Sequence, residues 1–119
     1  MRDMVRSFKA LSDETRLRIL NLLLDRECCV CEVMQALDIS QARTSRNLKI
    51  LYDAGFLNLR HDGLWSLYSI DKEGMAEYQS RLTDVVRKAL EGNKLATTDK
   101  SRLGKSKRIG AEYVNNNQN

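Results

Sequence analysis

The feature that most constrains this chain is a change in hydrophobic period at Gly55. Before it, residues 30–37 and 41–54 carry apolar side chains at helical spacing, and Ser40 stands between them as an N-cap. After it, residues 56–61 and 64–70 alternate between apolar and polar side chains around Asp62-Gly63, a pair typical of a tight hairpin turn. Two short helices followed by a hairpin predict a helix-turn-helix with a β-wing.

Three further helices are predicted around this motif. Residues 4–11 repeat apolar side chains every three or four positions, and residues 13–24, capped by Ser12, are apolar on most sides, which is typical of a core helix. The last helix is predicted to begin at Asp71 and to end at Gly92. The predicted fold is therefore mainly α with a β-hairpin wing, a winged helix-turn-helix that occupies residues 1–91.

Apolar stripes on the first and last helices have no obvious cover within this domain. A folded part of about 90 residues buries only a modest fraction of its surface, so pairing two copies would stabilise it. We therefore predict a homodimer that forms through these two helices. Its predicted interface residues are Met4, Val5, Phe8, Met75, Tyr78, Leu82, Val85, Val86 and Leu90.

The charge of the chain is unevenly distributed. Its 119 residues have a formal net charge of +4, and residues 1–91 carry equal numbers of basic and acidic side chains, 14 of each. Residues 92–119 therefore hold the whole excess of positive charge and are predicted to form a basic, disordered tail.

No apolar run approaches the ~20 residues of a membrane helix, and the N-terminus lacks the apolar core of a signal peptide. These features predict a cytoplasmic protein without a membrane partner.

The helix predicted at residues 41–54 mixes cations with small polar groups on its exposed face. If Leu48 marks the centre of the buried face, Arg43 and Arg46 lie opposite it, and Lys49 and Asn47 lie on the flanks. Arginine suits guanine, asparagine suits adenine and lysine suits phosphate, so the face fits double-stranded DNA; an ordinary solvated helix face is the alternative. The predicted contacts are Gln41, Ala42, Arg43, Thr44, Arg46, Asn47 and Lys49, with Arg60 and His61 from the wing.

Three cysteines, Cys28, Cys29 and Cys31, stand at the start of the first short helix. In a reducing compartment such a cluster indicates a ligand site more than a disulfide framework. Thiolates select soft ions, and the start of a helix lowers the pKa of a thiol. Two alternatives are three small buried hydrophobes and redox sensing through a disulfide. No catalytic pairing or phosphate-binding glycine loop accompanies the single histidine, so an enzyme is not expected.

The spacing of the cysteines also constrains the geometry of a shared site. In an intact helix Cys28 and Cys31 lie on one face, whereas Cys29 and Cys31 are separated by about 200°. All three sulfurs can reach one ion only if the first turn is open. Ligand binding is therefore predicted to distort the start of this helix, directly before the DNA-binding helix, which would provide a switch.

These motifs resemble the ArsR/SmtB family of metalloregulators, and within it the arsenic(III)-responsive repressors. The resemblance covers residues 8–90, and its most specific part is the step Cys29-Val30-Cys31-Glu32. Its other parts are residues 9–20, 40–41, 45–51 and 55–57. The resemblance implies a homodimeric winged helix that represses a resistance operon and leaves its operator when As(III) or Sb(III) binds.

Three positions depart from the family pattern. Met34 stands where one branch has a third thiolate, so the resemblance leaves Cys28 as the candidate third ligand. Asn47 replaces a usual histidine, and Leu64 replaces a common basic residue of the wing. The alternative functions are thiol-oxidation sensing, or sensing of another soft metal, by the same DNA-binding domain. A small interaction module without a DNA role is a third possibility.

Overall fold

The computed structural model describes residues 1–109. In chain order its elements are α1 (Arg2–Leu11), α2 (Glu14–Leu23), β1 (Cys28–Cys29), α3 (Val30–Leu37), α4 (Gln41–Asp53), β2 (Leu57–Asp62), β3 (Trp65–Ile70), α5 (Glu77–Leu90) and α6 (Lys94–Lys105). The strands form an antiparallel sheet in the order β1-β3-β2. The predicted winged helix-turn-helix is confirmed, and β1 is an addition, because only a break was predicted there.

The boundaries of α4 and the wing follow from local caps and turns. The Ser40 hydroxyl accepts a hydrogen bond from the Arg43 amide at 3.2 Å, which begins α4, and Gly55 follows the helix with φ 94°. Asp62 pairs with Trp65 across the hairpin, so the turn consists of Gly63, with φ 60°, and Leu64. A β-carbon would strain both glycine positions, which explains why glycine occupies them.

Two predicted helix starts are wrong by a few residues. The N-cap of α2 is Asp13 rather than Ser12, because its carboxylate accepts the Arg16 amide at 3.0 Å. Asp71 does not start α5; its carboxylate accepts the Gly74 amide at 2.9 Å and closes a separate turn. α5 begins only at Glu77. A side chain that can cap a helix can equally close a local turn.

The core lies between α2, α3, α4 and the inner face of the sheet. Burying each large apolar side chain contributes about 1.5–3 kcal/mol, so this cluster fixes how α3 and α4 pack. Leu48 and Leu51 anchor α4 and leave its opposite face to solvent. The fully buried large apolar side chains are Ile19, Leu20, Leu22, Val33, Leu48, Leu51, Phe56 and Leu67.

The predicted disordered tail is wrong for residues 94–105, which form α6. α6 packs on α2 and α3 through Leu103 and through Asp99, whose side chain is 1% exposed. The Asp99 carboxylate accepts hydrogen bonds from Arg18 Nε at 2.9 Å and Nη2 at 2.8 Å. The Arg18 guanidinium thus compensates the charge of the buried Asp99 carboxylate. The basic composition of residues 92–119 gave no sign of this pairing. Residues 106–109 of the predicted tail are likewise placed by hydrogen bonds, and residues 110–119 lie outside the described residues.

The predicted dimer residues divide into two groups. Met4, Val5 and Phe8 on α1 are 39–52% exposed, and Val85 on α5 is 62% exposed. Val86 instead packs into the core of its own chain, so it is wrong as an interface residue, because α5 covers α2 with part of its apolar stripe. Met75 and Leu90 are only partly buried against that core and stay predictions. Tyr78 and Leu82 are half-buried between the two groups.

In the part of the chain that the structure describes, no helix is long and apolar enough to cross a membrane.

Candidate DNA interface and cysteine site

The exposed face of α4 carries most of the cations that were predicted to meet DNA. The Arg46 side chain is exposed and forms no hydrogen bond or ion pair with any residue between 1 and 109. Arg43 Nη2 donates to Thr15 Oγ1 at 2.9 Å, and Lys49 Nζ lies 2.8 Å from Asp53 Oδ2. Arg43 is therefore tied to α2 and Lys49 is held along α4, while Arg46 projects outward. Ala42 is exposed and Gln41 half-buried at the start of the same face.

The predicted DNA contacts at Thr44 and Asn47 are wrong, because both side chains are bonded inside the protein. Thr44 is fully buried, and its hydroxyl donates to the Ser40 carbonyl at 2.8 Å. Asn47 accepts from Arg16 Nη1 at 3.0 Å and donates to the Arg43 carbonyl at 2.9 Å. The buried face of α4 is wider than one centred on Leu48 alone, since α2 packs along the flank that carries Asn47.

The wing residues Arg60 and His61 occupy different environments. Arg60 donates to both carboxylate oxygens of Glu27, at 2.9 and 2.6 Å, and these bonds lower the pKa of Glu27 below its ordinary value. This ion pair ties the wing to the segment before β1. His61 is exposed, with Nδ1 3.3 Å from Ser66 Oγ on the neighbouring strand. The tip itself carries Leu64, which is 78% exposed.

Cys29 and Cys31 meet at the start of α3. Cys29 is the N-cap, with an extended backbone at φ −79° and ψ 163°, and Cys31 lies in the first turn. Their sulfurs form a disulfide, with Cα atoms 5.4 Å apart. Because Cys29 precedes the helix, the 200° separation expected within a helix does not apply. The sulfurs of this pair therefore meet without any opening of the first turn of α3.

A capping box holds the two ends of this turn together. Cys29 Sγ accepts a hydrogen bond from the Glu32 amide at 3.3 Å, and Glu32 Oε1 accepts one from the Cys29 amide at 2.9 Å. Glu32 is only 5% exposed, and Arg26 Nη1 compensates its charge at 3.0 Å from Oε2. The sulfur of Cys29 is thus a structural cap as well as a candidate ligand.

The structure does not bring Cys28 to this pair. Neighbouring residues of a strand point to opposite faces, so Cys28 enters the main core while Cys29 and Cys31 pack with Leu67 on the other side. Burial raises the pKa of the Cys28 thiol to about 12. Within residues 1–109 no three His, Cys, Asp or Glu side chains are placed to hold a metal ion. The predicted three-sulfur site is therefore not assembled.

Three residues beside the cysteine pair were absent from the sequence prediction. Trp65 and Ile109 pack against the two cysteines, and Arg108 Nε donates to Glu32 Oε1 at 3.3 Å. Arg108 is 76 residues from Glu32 along the chain, so no local spacing signals this contact. The alternating pattern of β3 predicts that Trp65 lies on one face of the sheet, but it does not predict which residues pack against it.

A short helix pair with a cationic second helix, followed by a hairpin, defines a winged-helix DNA-binding regulator. The chain belongs to the ArsR family of bacterial regulatory proteins. The family model described as "Bacterial regulatory protein, arsR family" matches residues 13–58. The chain is also 35% identical over 95 residues to the arsenical resistance operon repressor of Bacillus subtilis, with 78% of this chain and 90% of that protein covered. The predicted family resemblance is confirmed.

Two further comparisons extend the family relationship. The cadmium resistance transcriptional regulatory protein CadC homolog of Staphylococcus aureus is 40% identical over 72 residues, and the match spans 60% of each protein. The solution structure of the homodimeric winged helix-turn-helix domain Mb0332 from Mycobacterium bovis, a possible ArsR-family regulator, superposes with a TM-score of 0.64. It is 28% identical, and the match covers 78% of this chain and 82% of that one. These relatives are transcription regulators, as the fold predicts.

Proposed function

We propose that this protein is a homodimeric repressor that As(III) or Sb(III) releases from its operator by binding Cys29 and Cys31. The observation that carries the proposal is the meeting of two sulfurs at the start of α3, the helix that a short turn joins to the DNA-binding helix α4. Thiolate sulfur selects soft, thiophilic species. The relative from Bacillus subtilis, named for arsenical resistance, supports the choice of a metalloid.

Binding at this pair requires both cysteines in the reduced state. Each thiol gives up its proton and bonds to arsenic, and one hydroxyl of arsenous acid leaves with that proton as water. Two sulfurs thus displace two hydroxyls, and the third position is left to a hydroxyl or a thiol from solution. The Glu32 amide donates to Cys29 Sγ at 3.3 Å, so the helix start already directs a hydrogen-bond donor at this sulfur.

The capping box offers a route from the ligand to α4. A Cys29 sulfur bonded to arsenic no longer accepts the Glu32 amide equally well, and losing an N-cap costs about 0.5–2 kcal/mol. The first turn of α3 then favours another arrangement, and α3 packs directly on α4. A ligand with different affinities for the two arrangements shifts the DNA-binding equilibrium by that difference.

The direct test is release of DNA from the reduced protein. Fluorescence anisotropy would follow a labelled fragment from the region upstream of the gene, in a phosphine reductant, as arsenite is added. We expect affinity to fall at least about tenfold, which is within the usual range of allosteric coupling free energies. Antimonite should act in the same way. An unchanged affinity would contradict metalloid release.

The disulfide between Cys29 and Cys31 favours a second candidate, a thiol-oxidation sensor with the same DNA-binding domain. In that reaction the two thiols lose two protons and two electrons to hydrogen peroxide, which becomes two waters. Peroxide added after removal of the reductant would then release DNA, whereas arsenite in reductant would not. The opposite pattern supports the metalloid proposal.

We propose that Gln41, Ala42, Arg43, Arg46 and Lys49 of α4 face the major groove, with Arg60 and His61 on the wing. If Arg46 contacts a base, Arg46→Gln should weaken operator binding by about 1–3 kcal/mol per half-site. If it contacts a phosphate instead, the variant should show a weaker dependence of DNA affinity on salt concentration. Anisotropy titrations at several salt concentrations measure both. Arg81→Gln, on the exposed surface of α5, is the control. Equal affinity of the two variants would exclude Arg46.

We also propose that the dimer forms through Met4, Val5 and Phe8 of α1 and Tyr78, Leu82 and Val85 of α5. Phe8→Asp should yield a monomer, because its side chain is 52% exposed in the single chain and a charge there is buried only by dimerisation. Light scattering after size exclusion measures the mass. Leu64→Asp, at the 78% exposed wing tip, should remain dimeric. A dimeric Phe8→Asp protein would contradict this interface.

A further inference from the structure

Residues 106–109, here called the C-terminal strap, leave the end of α6 and cross the cysteine site. Gln35 holds the strap through the backbone of Lys107: Gln35 Nε2 donates to the Lys107 carbonyl at 2.7 Å, and the Lys107 amide donates to Gln35 Oε1 at 3.1 Å. The indole N–H of Trp65 donates to the Ile109 carbonyl at 3.0 Å. Three hydrogen bonds from α3 and β3 therefore place the strap.

The side chains of the strap complete the cover over the two sulfurs. Ile109 packs with Cys29, Cys31 and Leu67, while Arg108 stacks 5.7 Å from the centroid of the Trp65 ring. The cysteines are only 1% and 2% exposed as a result of all these neighbours. A pair this buried can react only after some part of the cover moves.

The strap is the part of the cover that opens at the lowest free energy. The other neighbours belong to α3 and to the central strand β3, whose displacement would break the sheet and the core. The strap instead has an exposed Lys107, an Arg108 side chain that is one-third exposed, and no regular secondary structure, which are properties of locally opening segments. We propose that the C-terminal strap gates the cysteine pair, with Trp65, Arg108 and Ile109 as positioning residues of the site.

The same contacts connect the gate to the helix that it covers. Arg108 and Arg26 both bind the buried Glu32 carboxylate, which in turn accepts the Cys29 amide. Opening the strap removes one of these two cations from Glu32 and weakens the restraint on the start of α3. The role of the gate in sensing rests on the proposed function, but the gating can be tested without arsenite or DNA.

The test is the rate at which iodoacetamide alkylates each cysteine of the reduced, full-length protein, followed by mass spectrometry of quenched samples. Gln35→Ala/Trp65→Phe removes the three hydrogen bonds that hold the strap, and Ile109→Asp disturbs its cover without touching α3. We expect alkylation of Cys29 and Cys31 to become about tenfold faster or more, because access no longer requires an opening step. Lys107→Gln is the matched control, since Lys107 contributes only backbone atoms to these hydrogen bonds.

Cys28 serves as the internal control for global unfolding, because it lies in the main core and not under the strap. Faster alkylation of Cys29 and Cys31 with slow Cys28 in either variant supports the gate. If the alkylation of Cys28 becomes equally faster in the double variant, that variant is unfolding. The comparison of Cys29 and Cys31 with Cys28 is then made in Ile109→Asp. The proposal is overturned if, in both variants, Cys29 and Cys31 are alkylated no faster than in the wild type. It is also overturned if, in both variants, they are alkylated faster only when Cys28 is alkylated faster too. Neither result depends on whether arsenite is the inducer.

Discussion

Arsenite should fail to release the Cys29→Ser protein from its operator, although this variant should fold and bind DNA as well as the wild type. Serine recreates the Ser-x-x-Glu capping box with Glu32, so the start of α3 keeps its cap. A hydroxyl is a hard and poorly acidic donor, so one of the two bonds to arsenic is lost. Arsenite is expected to lower the DNA affinity of the wild type by about tenfold or more, and this whole effect should be absent in Cys29→Ser. Anisotropy with and without arsenite measures it.

Cys28→Ser is the matched control for this experiment. The variant keeps both sulfurs of the pair, so the arsenite response should persist. Its hydroxyl replaces a fully buried thiol and should cost about 1–3 kcal/mol of stability, so binding must be measured where circular dichroism shows a folded protein. A Cys28→Ser protein that is folded and unresponsive would show that Cys28 joins the pair when ligand binds. Full release of Cys29→Ser by arsenite would exclude the proposed site.

Asp99→Ala should destabilise the protein by about 3–5 kcal/mol, the usual cost of removing one partner of a buried ion pair. Arg18 would keep its charge in a site only partly open to water, without the carboxylate whose hydrogen bond raises the pKa of its guanidinium. α6 would also lose its polar anchor on α2. Urea denaturation at neutral pH gives the free energy of unfolding.

Asp84→Ala provides the comparison, because Asp84 is an exposed acid 3.9 Å from Arg87 on α5. Its loss should change stability by less than about 1 kcal/mol, as for most surface ion pairs. If Asp99→Ala costs no more than Asp84→Ala, the Arg18 pair does not hold α6 in solution. A loss of helical signal at low urea, before the main transition, would instead show that α6 unfolds as a separate unit.

Most features that depend on near neighbours in the chain were predicted correctly from the sequence, although the caps at Ser12 and Asp71 were not. Ser40 and Gly55 bound α4, and the wing turns at Gly63-Leu64, one residue from the predicted Asp62-Gly63, because caps and turns act over three or four residues. The cationic face around Arg46 followed from helical period alone. The Cys29-Val30-Cys31 step lies at the start of α3 as predicted, and the disulfide there joins residues only two apart.

Features that depend on distant partners required the tertiary structure. Asp99 makes α6 possible through Arg18, which is 81 residues away, and Arg16 draws Asn47 inward from 31 residues away. Burying a polar group is unfavourable unless a partner satisfies it, and periodicity does not reveal the partner. The sheet register likewise directs Cys28 into the core and Cys29 toward Trp65. Sequence spacing therefore indicated the candidate residues of the site, while long-range packing decided which of them meet and what covers them.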